Sequence, residues 1–307
     1  MAFTAPAAAQ DAGTSALVTE ELDAPSVDSL QAPSERVGEY AEVNGARIFY
    51  EAAGDGPAML LLHGYPLSGA LFARVRDALQ DDYTVITLDH RGYGKSEAPE
   101  VPGSIKTYAN DALAVLDRLG IESAIIGGMS MGGPIVFSMY EQAPERFDGM
   151  ILIDTTAAAA PPPEAGLWRG TAEVLRDQGL DAVIPALIPD MLTGETRLNE
   201  PAVADYLREV MQSASKDGAI GGAQALAERP DFTGLLGEID VPTLVLVGLE
   251  DSLYALQVSR DMQEAIANST LAIVPGGSHA AIFEAPGRSA AAIANWAAGL
   301  QEGTAEQ

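Results

Sequence analysis

The strongest constraint on this chain is the stretch Ala124-Ile125-Ile126-Gly127-Gly128-Met129-Ser130-Met131-Gly132-Gly133. It carries an apolar run straight into Gly-x-Ser-x-Gly and then into the helical pattern Pro134-Ile135-Val136-Phe137-Ser138-Met139-Tyr140. Strand, sharp turn and helix in that order put Ser130 at the apex of a tight bend. Such a bend brings the flanking backbone close together, so the positions around the serine must be small, as Gly128 and Gly132 are. The hydroxyl then stands clear of the sheet as a nucleophile. The ordinary alternative, a chance loop in a chain with 31 glycines, is opposed by the strand before it, the helix after it and the partner residues downstream.

The rest of the chain alternates around this turn. Two short alternating runs, 38–43 and 46–50, flank Asn44-Gly45, a two-residue hairpin signal. A buried strand over 59–62 ends in His63-Gly64-Tyr65-Pro66 and leads to an amphipathic helix over 69–79. A second strand, 84–88, ends in Asp89-His90-Arg91-Gly92-Tyr93-Gly94-Lys95-Ser96 and leads to a helix over 108–119. After the serine turn come a strand over 149–154, then strands at 243–247 and 271–274 with helices at 257–267 and 287–300. Alternating strands and helices imply an α/β fold, a mostly parallel eight-stranded sheet with helices on both faces.

Between Asp154 and Pro242 the sheet pattern lapses. The segment opens on an Ala-Pro run and then reads helical over 166–177, 180–192, 201–213 and 218–227. A helical insertion at the carboxyl ends of two sheet strands is expected to be a lid over the site. Trp168, Leu192 and Met211 are candidates to line its underside, with packing inside the lid the plainer role for each. The expected organisation is a disordered acidic, Ala/Pro-rich arm over 1–37, a core over 38–156 and 234–302, and the lid over 157–233, inserted after the sixth strand.

Composition narrows the partners. With 44 acidic against 17 basic residues the net charge is -27, which repels phosphate backbones and anionic lipid, so neither nucleic acid nor a membrane is an expected partner. No apolar run reaches the ~20 residues of a membrane-spanning helix, and a soluble protein is expected. The only lysines are Lys95, Lys106 and Lys216, and this scarcity beside an acid-rich surface suggests a host with high salt. Cysteine is absent, which rules out disulfides and thiolate chemistry. Ala7-Ala8-Ala9-Gln10-Asp11 has the small residues of a signal-peptide end, but no basic and apolar regions precede it. A cytoplasmic location is expected, or a secreted or periplasmic one if a signal peptide stood upstream. Oligomeric state is not legible.

A serine nucleophile needs a base, and the base needs an orienting acid. Of the three histidines only His279, in Gly276-Gly277-Ser278-His279, lies downstream of Ser130, as the order serine, acid, histidine of parallel-sheet triads requires. The acid should follow a late strand, and Asp251 in Val247-Gly248-Leu249-Glu250-Asp251 is the choice, with Glu250 and Asp154 as alternatives. The oxyanion needs two N–H donors: that of Met131, presented by the turn, and that of Tyr65, from the loop after the His63 strand. His63 and His90 are read as loop braces. Pro66, Leu67, Met129 and Trp168 are the expected substrate contacts. No metal and no organic cofactor is implied.

Over residues 37 to 302 the chain resembles the α/β-hydrolase superfamily, through His63-Gly64-Tyr65-Pro66, Asp89 to Ser96, Gly128 to Gly132, Gly248 to Asp251 and Gly277-Ser278-His279. Tyr65-Pro66-Leu67-Ser68-Gly69 is similar to the cofactor-free haloperoxidase and perhydrolase esterases. Ser130-Met131-Gly132-Gly133 is shared with these, with enol-lactonases and with carbon-carbon bond hydrolases, and Ala227 to Phe232 resembles the enol-lactonase group. The resemblance implies Ser130, Asp251 and His279 as the triad and Tyr65 and Met131 as oxyanion donors. It also sets aside the branches with a carboxylate nucleophile. Two positions depart from the pattern: Ser278 stands where a glycine is usual, and Leu253-Tyr254-Ala255 replaces a frequent proline. The expected activity is cleavage of small, fairly apolar esters or lactones. The alternatives are a carbon-carbon bond hydrolase, a perhydrolase, or a ligand binder that has lost turnover.

Overall fold

The computed structural model describes residues 15–97 and 103–305. The Ala7–Asp11 run and the rest of 1–14 lie outside the described residues. Among the described residues the sheet has nine strands, in the order β1 (Ser15–Leu17), β9 (Ser269–Val274), β8 (Thr243–Gly248), β7 (Phe147–Ile153), β6 (Ala124–Met129), β4 (Ala58–Leu62), β5 (Thr84–Leu88), β3 (Ala46–Ala53), β2 (Glu39–Val43). Among the described residues, only the pairings of β3 with β2 and with β5 are antiparallel. The β2–β3 connection is the Asn44-Gly45 turn, with φ of 49° and 71°, the left-handed pair that a two-residue hairpin requires.

The parallel strands are β4 (Ala58–Leu62), β5, β6 (Ala124–Met129), β7 (Phe147–Ile153), β8 (Thr243–Gly248) and β9 (Ser269–Val274). Buried on both faces, they divide their apolar side chains between two cores by simple alternation. Leu60, Leu62, Ile126, Leu152, Val245 and Val247 join one core, and Met59, Leu61, Ile125, Ile151, Leu244 and Leu246 the other. The helices α1 (Ala73–Leu79), α2 (Ile105–Leu119) and α3 (Gly132–Gln142) follow β4, β5 and β6. Ser104 caps α2, its side chain accepting from the Thr107 N–H, so the helix starts a turn before its apolar spacing becomes visible.

Between β7 and β8 lie α4 (Pro162–Gln178), α5 (Ile184–Met191), α6 (Gly194–Asn199), α7 (Pro201–Gln212) and α8 (Lys216–Ala227). The short α6 is not visible in the apolar pattern; it is set by Thr193, whose hydroxyl caps the Thr196 N–H. The chain closes with α9 (Leu256–Ala265), α10 (Ala281–Glu284) and α11 (Pro286–Ala305).

Two expectations need correction. The sheet has nine strands rather than eight, and the segment from Ser15 to Val37 is not disordered. Ser15–Leu17 forms β1, parallel to β9, with Leu17 paired to Ile273. Further on, Pro25 and Gln31 accept from Arg74 Nε and the Tyr206 hydroxyl through their carbonyls. Arg36 inserts a buried guanidinium between Glu51 and Asp89. Composition points to disorder because the segment has few apolar residues; its order comes from backbone pairing to a sheet edge, from one buried arginine and from Val18, Val27 and Leu30 packed against the core. The helical insertion therefore follows the seventh strand in chain order.

Candidate active site

The Ser130 turn is built by close backbone approach. Ser130 sits between β6 and α3 at φ 53°, an uncommon conformation for a residue with a side chain. Three bonds hold it: its N–H donates to the Ile153 carbonyl at 3.0 Å, and its carbonyl accepts from the Gly133 N–H at 2.9 Å and the Thr155 hydroxyl at 2.6 Å. A Cβ on Gly128 would lie 2.2 Å from the Gly132 oxygen, and one on Gly132 would lie 2.3 Å from the Leu62 oxygen. Only glycine fits at either place.

His279 and Asp251 arrive from the loops after β9 and β8. His279 Nε2 is 2.9 Å from Ser130 Oγ, and its Nδ1 is 3.0 Å from Asp251 Oδ2. Asp251 Oδ1 accepts from the Leu253 N–H at 2.8 Å and the Tyr254 N–H at 3.1 Å. Acceptor-only oxygens on that side fix the imidazole with its proton on Nδ1, which leaves the Nε2 lone pair facing the serine hydroxyl. The replacement of proline by Leu253-Tyr254 now has a physical reading, since a proline at either position would remove one of the two donors that aim the carboxylate.

The alternative acids lie elsewhere. Glu250 is exposed, and its carbonyl accepts from the Ser278 hydroxyl. Asp154, at φ 43°, is fully buried, with Oδ1 accepting from the Gly248 N–H at 2.7 Å. Burial, then the nearby Asp251, pushes its carboxyl well above the usual range.

The Tyr65 loop lies directly against the Ser130 turn. A Cβ on Gly64 would fall 2.7 Å from Met129 Sδ and 2.9 Å from Ser130 Cβ. Among the described residues, neither the Tyr65 N–H nor the Met131 N–H is taken up by another protein group. Leu67 N–H closes the loop on the Gly64 carbonyl at 3.0 Å. Pro66, Leu67 and Met129 are buried beside it, and Trp168 stands edge-on to the Tyr65 ring at 5.2 Å. Leu192 and Met211 pack into the same core cluster as Leu67 and Met129.

His63 and His90 brace this loop. Burial lowers the His63 pKa to about 3, so the ring is neutral; Nδ1 donates to the Gly64 carbonyl at 2.8 Å and Nε2 accepts the His90 N–H at 3.0 Å. Burial also lowers His90.

Sequence reasoning missed the supports of the histidine. Ser278 N–H donates to Glu284 Oε2 at 2.7 Å, its hydroxyl is shared between the Asp190 and Glu250 carbonyls at 3.1 and 3.2 Å, and Ala280 N–H donates to the Met191 carbonyl at 2.9 Å. Glu284 Oε1 in turn accepts from the N–H and hydroxyl of Thr193, each at 2.7 Å. The histidine loop is thus fastened to the end of α5. The one signal for this was Ser278 itself, a hydroxyl where a glycine was expected. Among the described residues no group of three or more His, Asp or Glu side chains is arranged to hold a metal ion.

Comparison with known proteins matches the family model described as alpha/beta hydrolase fold to residues 57–286. The chain is 30% identical over 232 residues to 3-oxoadipate enol-lactonase 2 of Acinetobacter baylyi, covering 76% of this chain and 85% of that protein. It is 29% identical over 253 residues to a non-heme haloperoxidase of Rhodococcus erythropolis, covering 77% and 90%. Among solved structures, a thermophilic esterase from Thermogutta terrifontis superposes with a TM-score of 0.82 at 30% identity, covering 88% of this chain and 98% of that one.

Proposed function

This chain belongs to the α/β-hydrolase family, and from that premise we propose that it is a serine hydrolase of small, fairly apolar carboxylic esters or lactones. The observation that carries the reading is the unbroken path from Ser130 Oγ through both nitrogens of His279 to Asp251, at 2.9 and 3.0 Å. In this reading Ser130 Oγ attacks the acyl carbon while Nε2 takes its proton, and Asp251 stabilises the imidazolium that forms. The Tyr65 and Met131 N–H groups receive the developing oxyanion, and their freedom from other partners suits that role. The imidazolium then gives its proton to the leaving alkoxide. Water, deprotonated by the same nitrogen, attacks the acyl-enzyme and frees the acid.

The partner in this reading is a small-molecule ester or lactone, with the helices between β7 and β8 as its lid. Among the described residues no helix is long and apolar enough to cross a membrane. A second reading, perhydrolysis, has hydrogen peroxide replacing water in deacylation; the similarity to the haloperoxidase favours keeping it. The test is hydrolysis of a chain-length series of p-nitrophenyl esters by the wild type and Ser130→Ala, with and without peroxide. Turnover by wild type alone supports the reading, and turnover retained by Ser130→Ala refutes it. Peracid formed in preference to acid would favour the second.

A further inference from the structure

An ion pair in the helical insertion, between a buried arginine and a part-buried glutamate, connects the two sides of the reaction centre. The Arg229 side chain, just past α8, is 2% exposed. A guanidinium there must be fully paired. Glu164 of α4 meets it with both oxygens, Nη1 donating to Oε1 at 2.5 Å and Nη2 to Oε2 at 3.0 Å, while Nε donates to the Ala158 carbonyl at 2.8 Å. Every guanidinium nitrogen is committed, and the fork fixes the group's plane as well as its place.

Two aromatic rings depend on this pair. Glu164 Oε1 also accepts from Trp168 Nε1, one helical turn on, at 3.2 Å, and the Trp168 ring stands at 78° to that of Tyr65. On the other side the Tyr254 phenol faces Arg229, whose positive charge acts on it. The Tyr254 ring stands edge-on to His279 at 5.6 Å and 62°, and its N–H is one of the two that aim Asp251. One ion pair therefore reaches the Tyr65 loop through Trp168 and the His279–Asp251 pair through Tyr254. The residues involved come from five separate segments of the chain, and covalent connection alone does not hold them in register.

We propose that Arg229 and Glu164 are positioning residues that set, through Trp168 and Tyr254, the placement of the Tyr65 loop relative to His279 and Asp251. The inference rests on the serine-hydrolase reading above. The pair touches no reacting atom; it acts by keeping donors and base in reach of one acyl group, where a displacement of about 1 Å costs up to ~100-fold in rate.

The test uses Glu164→Gln, Tyr254→Phe and Trp168→Phe in the full chain. Tyr254→Phe keeps the ring against His279 and removes only the phenol that faces Arg229, while Trp168→Phe removes the N–H link to Glu164 together with part of the ring against Tyr65. Each is expected to lower kcat by about five- to tenfold with KM changed less than about twofold, since positioning acts on the reacting geometry more than on uniform binding. Glu164→Gln with Tyr254→Phe should lose no more than the worse single variant, because both cut the same connection. Melting temperatures are read alongside, and if Glu164→Gln does not fold, the other two variants carry the test. Wild-type kcat in the folded variants, whatever their melting temperature, overturns the proposal, as do losses that multiply in the double variant. Ser130→Ala in the same assay separates the causes: retained turnover there refutes the serine-hydrolase reading, whereas a dead Ser130→Ala beside fully active Tyr254→Phe and Trp168→Phe refutes only the positioning role.

Discussion

Asp251→Asn tests the proposed proton path most sharply, because the structure dictates how the new amide must sit. Oδ1 of Asp251 accepts from two backbone N–H groups, at 2.8 and 3.1 Å, and Oδ2 accepts from His279 Nδ1 at 3.0 Å. An amide has only one oxygen. Turned toward His279, it would set its NH2 against the two backbone donors, forfeiting both bonds at about 1 kcal/mol each and leaving buried donors unmet at about 1–3 kcal/mol more. The amide therefore keeps its oxygen on the Leu253 and Tyr254 N–H groups and offers NH2 to Nδ1. Nδ1 must then accept, the ring proton moves to Nε2, and the nitrogen that faces Ser130 can no longer take its proton. The imidazolium also loses its counter-charge. The expected fall in kcat is about 10,000-fold, or ~5 kcal/mol of barrier at 1.36 kcal/mol per tenfold step, with KM little changed. Steady-state hydrolysis of a short p-nitrophenyl ester measures it. A fall of less than about tenfold in a folded variant would refute the argument and return Asp154 and Glu250 to consideration.

Asp154→Asn should keep most of the activity, and its stability should show the opposite pH trend to a paired carboxylate. The raised folded-state pKa of Asp154 means that the wild type loses stability as pH climbs above the unfolded value of about 4, so the melting temperature of the variant relative to wild type should increase over that range. A flat difference would contradict it. Gly64→Ala drives a Cβ into Ser130 and Met129 and should lower kcat by about 100- to 1,000-fold through the displaced Tyr65 N–H, which ester turnover at saturation would measure. Arg36→Ala strips the guanidinium from fully buried Asp89 and should cost about 3 kcal/mol in urea unfolding; a loss under about 1 kcal/mol would show that the Gly69 and Lys95 N–H groups on that carboxylate suffice. With a net charge of -27, the melting temperature should rise in molar potassium chloride, and no rise would count against an adaptation to salt.

What the sequence by itself determined is local or periodic. Continuous apolar runs placed the parallel strands, because each is buried on both faces. Asn44-Gly45 specified a hairpin, since few residues accept two successive positive φ angles. The tight turn at Ser130 was legible because a Cβ at Gly128 or Gly132 would strike backbone, so the chemistry is written into residue type. Chain order singled out His279 from three histidines. The tertiary structure decided whatever depends on the meeting of distant segments. The Ser15–Leu17 strand has an exposed, unremarkable sequence, and it is a strand only because β9 offers it an open edge. Asp251 was one of three acids until the loops after β8 and β9 met and set its carboxylate against Nδ1. Ser278, Glu284, Arg229 and Tyr254 carry no motif, because a support is recognised by what it touches, and their partners lie in other parts of the chain. Periodicity reports which face of an element is buried; which polar atoms meet across elements is settled only when the elements pack.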